Sequence, residues 1–125
     1  MLKMGFKDLL AQANSLIETV SVRDLDDHME YNDALLVDIR ETQEWEDSGS
    51  IPGAIHASRG FLEFYADSDS ELHIPELKPD RQIILYCGTG GRSTLAAKTL
   101  MDMGFSDVRS LAGGIAAWRE AQKSL

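Results

Sequence analysis

A chain of 125 residues, 43% hydrophobic and 26% charged, is one domain's worth of ordinary globular sequence with enough apolar material for a core. Its net charge of −9 argues against a nucleic-acid partner, and no apolar run approaches the roughly 18 residues of a membrane span, so no membrane partner is expected. The single cysteine excludes an internal disulfide and a cysteine-based metal site; His28, His56 and His73 lack ligand spacing, read as surface or loop histidines, and give no reason to expect a metal.

Phe6, Leu9, Leu10, Ala13, Leu16 and Ile17 recur at helical spacing, which predicts an amphipathic helix lying on its own domain or on a second copy; monomer and homodimer are both open. The first twenty residues intersperse Lys3, Lys7, Asp8 and Glu18 among apolar positions, unlike a signal peptide, so the cytoplasm is the expected compartment. The expected division is an N-terminal helix at 1–18 and a domain at 19–125. A short strand is predicted at 19–22, then a helix capped by Ser21 and running to about residue 29. The run from Ala34 to Ile39 reads as a strand buried on both faces, followed by a short helix at 42–47. Gly49 and Pro52-Gly53 mark turns around a brief strand at 54–57, and Phe61, Leu62, Phe64 and Tyr65 predict another helix. Residues 66–80, acidic and holding Pro75 and Pro79, read as a loop, either a solvated connection or a lid or docking surface. A strand at 83–86, a helix over 94–103 closed by Gly104, a strand at 108–111 and a helix containing Trp118 complete the chain. Trp45 and Trp118 are expected in the core. Apolar strands alternating with helices predict an α/β domain with a mainly parallel sheet, whose ligands bind at the C-terminal ends of the strands.

At such an end stands Tyr86-Cys87-Gly88-Thr89-Gly90-Gly91-Arg92-Ser93. A glycine-rich loop opening on a helix N-terminus turns its amides inward to form an anion cradle, and the same field favours a thiolate over a thiol. The charge distribution agrees: residues 19–80 hold 4 basic and 16 acidic side chains, whereas 81–125 hold 6 basic and 3 acidic. Cys87 is the candidate nucleophile. Gly88, Thr89, Gly90, Gly91, Arg92 and Ser93 are candidates for binding a small anion, with Ser93 equally a helix cap. Asp38 and Arg40 lie at the equivalent end of their strand and read as a structural pair buttressing the loop. Arg59 lines the pocket mouth or is a solvated surface residue. Two chemistries fit such a site, taking sulfur onto the cysteine as a persulfide or taking a phosphoryl group, and neither needs a general base once the thiol is acidified.

Four blocks in order carry a family resemblance: Leu36-Val37-Asp38-Ile39-Arg40-Glu41 with Glu44-Trp45; Gly49-Ser50-Ile51-Pro52-Gly53-Ala54; Cys87 to Ser93; and Leu111-Ala112-Gly113-Gly114-Ile115 with Trp118. The chain thereby resembles a single-domain rhodanese of the rhodanese-like sulfurtransferase superfamily. The resemblance implies a rhodanese-like α/β fold with a five-stranded parallel sheet flanked by helices, to which the N-terminal helix is an addition. It implies that Cys87 accepts sulfur from an anionic sulfane donor such as thiosulfate and yields it to a thiol, a protein acceptor or cyanide, with Arg92 orienting the donor and no cofactor. Phosphatases of this fold carry one more residue between cysteine and arginine, so the four-residue spacing here favours sulfur over phosphoryl or arsenate chemistry. Non-catalytic modules of the superfamily often lack the cysteine. Ser50 stands where the family often has histidine, a difference expected to affect packing.

Overall fold

The apolar runs Leu35–Asp38 (β2) and Ile83–Tyr86 (β4) form adjacent parallel strands in register, with Leu35 opposite Ile83 and Asp38 opposite Tyr86. Every residue of both is buried, which explains why they read as continuous rather than alternating apolar sequence. The computed structural model describes residues 1–123; positions 124 and 125 of the expected domain lie outside them. The sheet is parallel and five-stranded, in the order β1-β5-β4-β2-β3, where β1 is Glu18–Val20, β3 is Ile55–His56 and β5 is Val108–Leu111. The helices are α1 (Phe6–Asn14), α2 (Leu25–Tyr31), α3 (Thr42–Ser48), α4 (Leu62–Ala66), α5 (Gly91–Asp102) and α6 (Gly114–Gln122), with a 3-10 turn at Arg59–Phe61 leading into α4.

The pleat sends alternate residues of each strand to separate cores. Leu35, Val37, Ile83 and Leu85 join Ala96, Ala97 and Leu100 of α5 on one face, together with Cys87. Leu36, Ile84 and Tyr86 join Leu25, Ile51, Ile115 and the partly buried Trp118 on the other. Trp45 instead stacks on His56, with ring centroids 4.8 Å apart, and His56 Nε2 lies 2.8 Å from the Arg40 carbonyl. His56 is therefore a half-buried strand residue rather than a surface or loop histidine.

Several elements differ from their sequence reading, among them β1, at 18–20 rather than 19–22, and α2, which starts after Asp24 rather than after Ser21. Three others differ for local reasons. The first helix ends at Asn14, because Leu16 and Ile17 both return their amides to the Ala13 carbonyl and Ile17 drops into the core. The fourth helix begins with a 3-10 turn. The helix after the cysteine begins three residues early, at Gly91, because Gly90 takes a left-handed conformation (φ 117°) as its cap. The stretch between α4 and β4 holds neither helix nor strand, and it is pinned by buried Leu77 and by the Ile74 amide on the Tyr65 carbonyl. Among the described residues no helix is long and apolar enough to cross a membrane.

Candidate active site

Strand β4 delivers Cys87 to the C-terminal edge of the sheet, directly beneath the N-terminus of α5, and the residue is only 1% exposed. The Gly90 amide donates to Sγ at 3.1 Å, and Ser93 Oγ lies 3.6 Å from it. Burial alone would push this thiol up. Donors from Ser93, Gly90 and Thr89 outweigh burial and hold its pKa below the ordinary thiol value. The donors of the loop are thus aimed at the sulfur and favour its ionised form.

The opposite face of the loop explains why its amides are free to point inward. The first turn of α6 has unpaired N–H groups, and Ile115 and Ala116 give theirs to the Cys87 and Gly88 carbonyls at 3.0 and 3.1 Å. Those carbonyls, which would repel a thiolate, are turned away and satisfied. The close approach requires glycine at 114: a Cβ there would overlap the Cys87 carbonyl oxygen and lie 2.6 Å from that of Gly88.

Ser93 is buried and sits in a hydroxyl chain. Its Oγ lies 2.7 Å from Ser110 Oγ of β5 and donates to the Gly90 carbonyl at 3.1 Å, an acceptor that Thr94 Oγ1 also bonds at 2.9 Å. When Cys87 is a thiol, its S–H donates to Ser93. When it ionises, the Ser93 hydroxyl can turn onto the sulfur, because Thr94 still covers Gly90 and Ser110 can donate to Ser93. In Ser93→Ala, the pH profile of Cys87 alkylation should therefore move upward. Alkylation at neutral pH should slow about ten-fold, the scale of one hydrogen bond to a charged group. An unchanged profile would remove Ser93 from the thiolate's support.

Arg92, on the first turn of α5, folds back over Gly88 and forms a two-pronged ion pair with Glu44 of α3, Nη1 to Oε1 at 2.8 Å and Nη2 to Oε2 at 3.1 Å. The hydrogen bond from Arg92 is the main cause that lowers the Glu44 carboxyl to about 2. Asp38 and Arg40 do form a buried pair, 0% and 2% exposed. Arg40 reaches both Asp38 oxygens, and also Ser48 Oγ at 3.0 Å and the Gly49 carbonyl at 2.6 Å. The pair therefore fastens the end of α3 and the following turn to β2, alongside the Tyr86 ring that precedes Cys87. The pair makes no hydrogen bond to the loop from Gly88 to Ser93; its bonds go to Ser48 and Gly49 at the end of α3. Arg59 is not brought to this group: its guanidinium bonds Glu63 at 2.9 Å and Thr99 at 3.3 Å, and Thr99 lies about 12 Å along α5 from that helix's first residue. Glu44 and Ser110 were not singled out in the sequence as site residues, since neither position carries a local signal for a partner so far away in the chain.

The chain has relatives among known proteins. The family model of the rhodanese-like domain matches residues 21–121. A sulfurtransferase of Allochromatium vinosum is 36% identical over 86 residues, covering 69% of this chain and 72% of that protein. The tRNA uridine(34) hydroxylase of Chlamydia felis is 31% identical over 104 residues, which are 82% of this chain, and the chain spans only 31% of that relative's length. Among solved structures, a Rhodopseudomonas palustris protein of unknown function, described as a possible tyrosine phosphatase, superposes with a TM-score of 0.90 at 40% identity. That match covers 98% of this chain and 94% of the other.

Proposed function

The chain belongs to the rhodanese-like family, and on that footing we propose that it is a sulfurtransferase carrying sulfane sulfur as a persulfide on Cys87. The observation that carries the proposal is an enclosed cysteine whose pKa is lowered by donors from the loop and helix start that follow it. With thiosulfate as donor, the thiolate attacks the outer sulfur. A new S–S bond forms, the bond to the sulfonate sulfur breaks, and sulfite leaves with the electron pair. The inward amides then hold the persulfide anion as they held the thiolate. A thiolate or cyanide attacks the terminal sulfur, the Cys87 S–S bond breaks, and the cysteine thiolate returns. Charge and electrons balance at both steps, so the cycle calls for no redox cofactor. With one cysteine in the chain, no internal thiol can discharge the persulfide, so the acceptor is an external thiol or protein.

The description given to the Rhodopseudomonas palustris relative favours a second reading, phosphoryl transfer by the same cysteine. Expelling an alkoxide or phenoxide calls for a proton donor. The carboxylates tied into the site are Asp38, locked on Arg40, and Glu44, held near 2 and hence ionised at neutral pH. The two readings separate in one experiment. The protein should form thiocyanate from thiosulfate and cyanide, should stop after one sulfur per chain when acceptor is omitted, and should leave an aryl phosphate intact; Cys87→Ser should lose the activity. Hydrolysis of the aryl phosphate without thiocyanate formation would overturn the sulfur reading.

A further inference from the structure

The guanidinium groups of Arg40, Arg59 and Arg92 are each committed to a carboxylate, those of Asp38, Glu63 and Glu44 respectively. Arg92 is the one on the cysteine loop, and both of its terminal nitrogens are held by both oxygens of Glu44. Those paired N–H groups are the ones a guanidinium uses to grip an oxyanion. Glu44 is held in place from behind. Its Oε1 also accepts the Glu41 amide at 3.1 Å, closing the first turn of α3, and Arg40 anchors the other end of that short helix through Ser48 and Gly49. The charge that would attract an anionic donor is therefore met by Glu44, and it also interacts with the Cys87 sulfur, while none of the loop amides bonds Glu44.

We propose that Glu44 selects the sulfur donor: by closing the Arg92 fork it turns the site away from dianionic thiosulfate and toward persulfides, whose sulfane group carries at most one negative charge. The inference rests on the sulfur-transfer reading above. A thiosulfate ion has to displace Glu44 from Arg92 or lie beside a fixed negative charge. Both side chains of the pair are about two-fifths exposed, 41% and 40%, so the pair is weak enough for a high thiosulfate concentration to open it. A persulfide meets a smaller penalty. The Cys87 thiolate attacks its outer sulfur, the S–S bond to Cys87 forms, and the donor's own S–S bond breaks to release a thiolate; the transferred sulfur keeps its proton. No oxidant or reductant is consumed. The near-complete burial of Cys87 suits a donor that presents a single sulfur at the end of a chain.

Glu44→Gln tests this directly, because glutamine keeps an oxygen for the Glu41 amide and for Arg92 while losing the charge. The measurement is the rate of sulfur loading onto Cys87, followed by intact mass, with thiosulfate and with cysteine persulfide as donors. The ratio of thiosulfate to persulfide loading efficiency should rise about ten-fold, the size Coulomb's law gives for relieving a dianion of one negative charge a few ångströms away in a solvent-like dielectric. The gain should appear as a lower half-saturating thiosulfate concentration. Glu44→Ala, which removes the hydrogen bonds as well, should shift the ratio in the same direction. An unchanged or lower ratio in both variants, with wild-type Cys87 still gaining sulfur, overturns the role given to Glu44. Failure of the wild type to gain sulfur from either donor overturns the sulfur-transfer reading itself and this inference with it.

Discussion

Asp38→Ala is expected to destabilise the domain by about 3 kcal/mol, near the lower end of the range for breaking one side of a buried ion pair. Arg40 cannot lose its proton, and at 2% exposure it cannot reach water without moving the strand end. The alanine variant strips it of three side-chain bonds within hydrogen-bond distance and a full counter-charge. It keeps only the neutral acceptors Ser48 Oγ and the Gly49 carbonyl, which is why the cost stays toward the low end. A loss of this size lowers the melting temperature of a domain of this length by about 10 °C. Replacing both members with apolar residues of similar volume, Asp38→Leu with Arg40→Met, should recover part of the stability, since no buried charge is then left alone. Thermal unfolding of the single and double variants checks the order. A single variant as stable as wild type would mean that the pair is not the clamp described.

Gly114→Ala is expected to be nearly as damaging, and in a different way. Two costs add: residue 114 sits at φ 60°, where a side chain is strained, and the new Cβ meets the backbone carbonyls of Cys87 and Gly88. Backbone cannot swing aside as a flexible side chain does, so either α6 retreats or the loop deforms. Together the costs are on the order of 2–4 kcal/mol. If α6 retreats, the Ile115 and Ala116 amides leave the Cys87 and Gly88 carbonyls, and the loop loses the contacts that turn its acceptors away from sulfur. The expected signature is a combined loss: a lower melting temperature, and slower alkylation of Cys87 at temperatures where the variant is still folded. A variant that is destabilised but alkylated at the wild-type rate would show that α6 supports the fold without shaping the cradle.

These two positions show what the sequence could and could not convey. The strands at 35–38 and 83–86 were legible because burial on both faces leaves an unbroken apolar run bounded by polar residues. The cysteine loop was legible because its glycines, its cysteine and the start of α5 are contiguous in the chain. The Asp38–Arg40 pair was readable as a structural pair because its members are two residues apart at a strand end. The partners that complete the site are not contiguous. Glu44 and Arg92 are 48 residues apart, and nothing in the local pattern of α3 points its carboxylate at a loop two strands later. Ser110 looks like any polar residue in a strand until β5 is set beside the cysteine loop, 2.7 Å from Ser93. Gly113-Gly114 stood in the sequence as part of the block leading into the helix with Trp118, while the reason for Gly114 lies in the carbonyls of residues 87 and 88. Arg59, which the sequence left open between the pocket mouth and the surface, instead bonds Glu63 and Thr99 of α5.

Whether Cys87 carries sulfur is decided by weighing the intact protein after brief exposure to thiosulfate and, separately, to cysteine persulfide. A gain of one sulfur atom is expected in the wild type, removed by cyanide and absent from Cys87→Ser. No gain with either donor, or a gain that persists in Cys87→Ser, would contradict it.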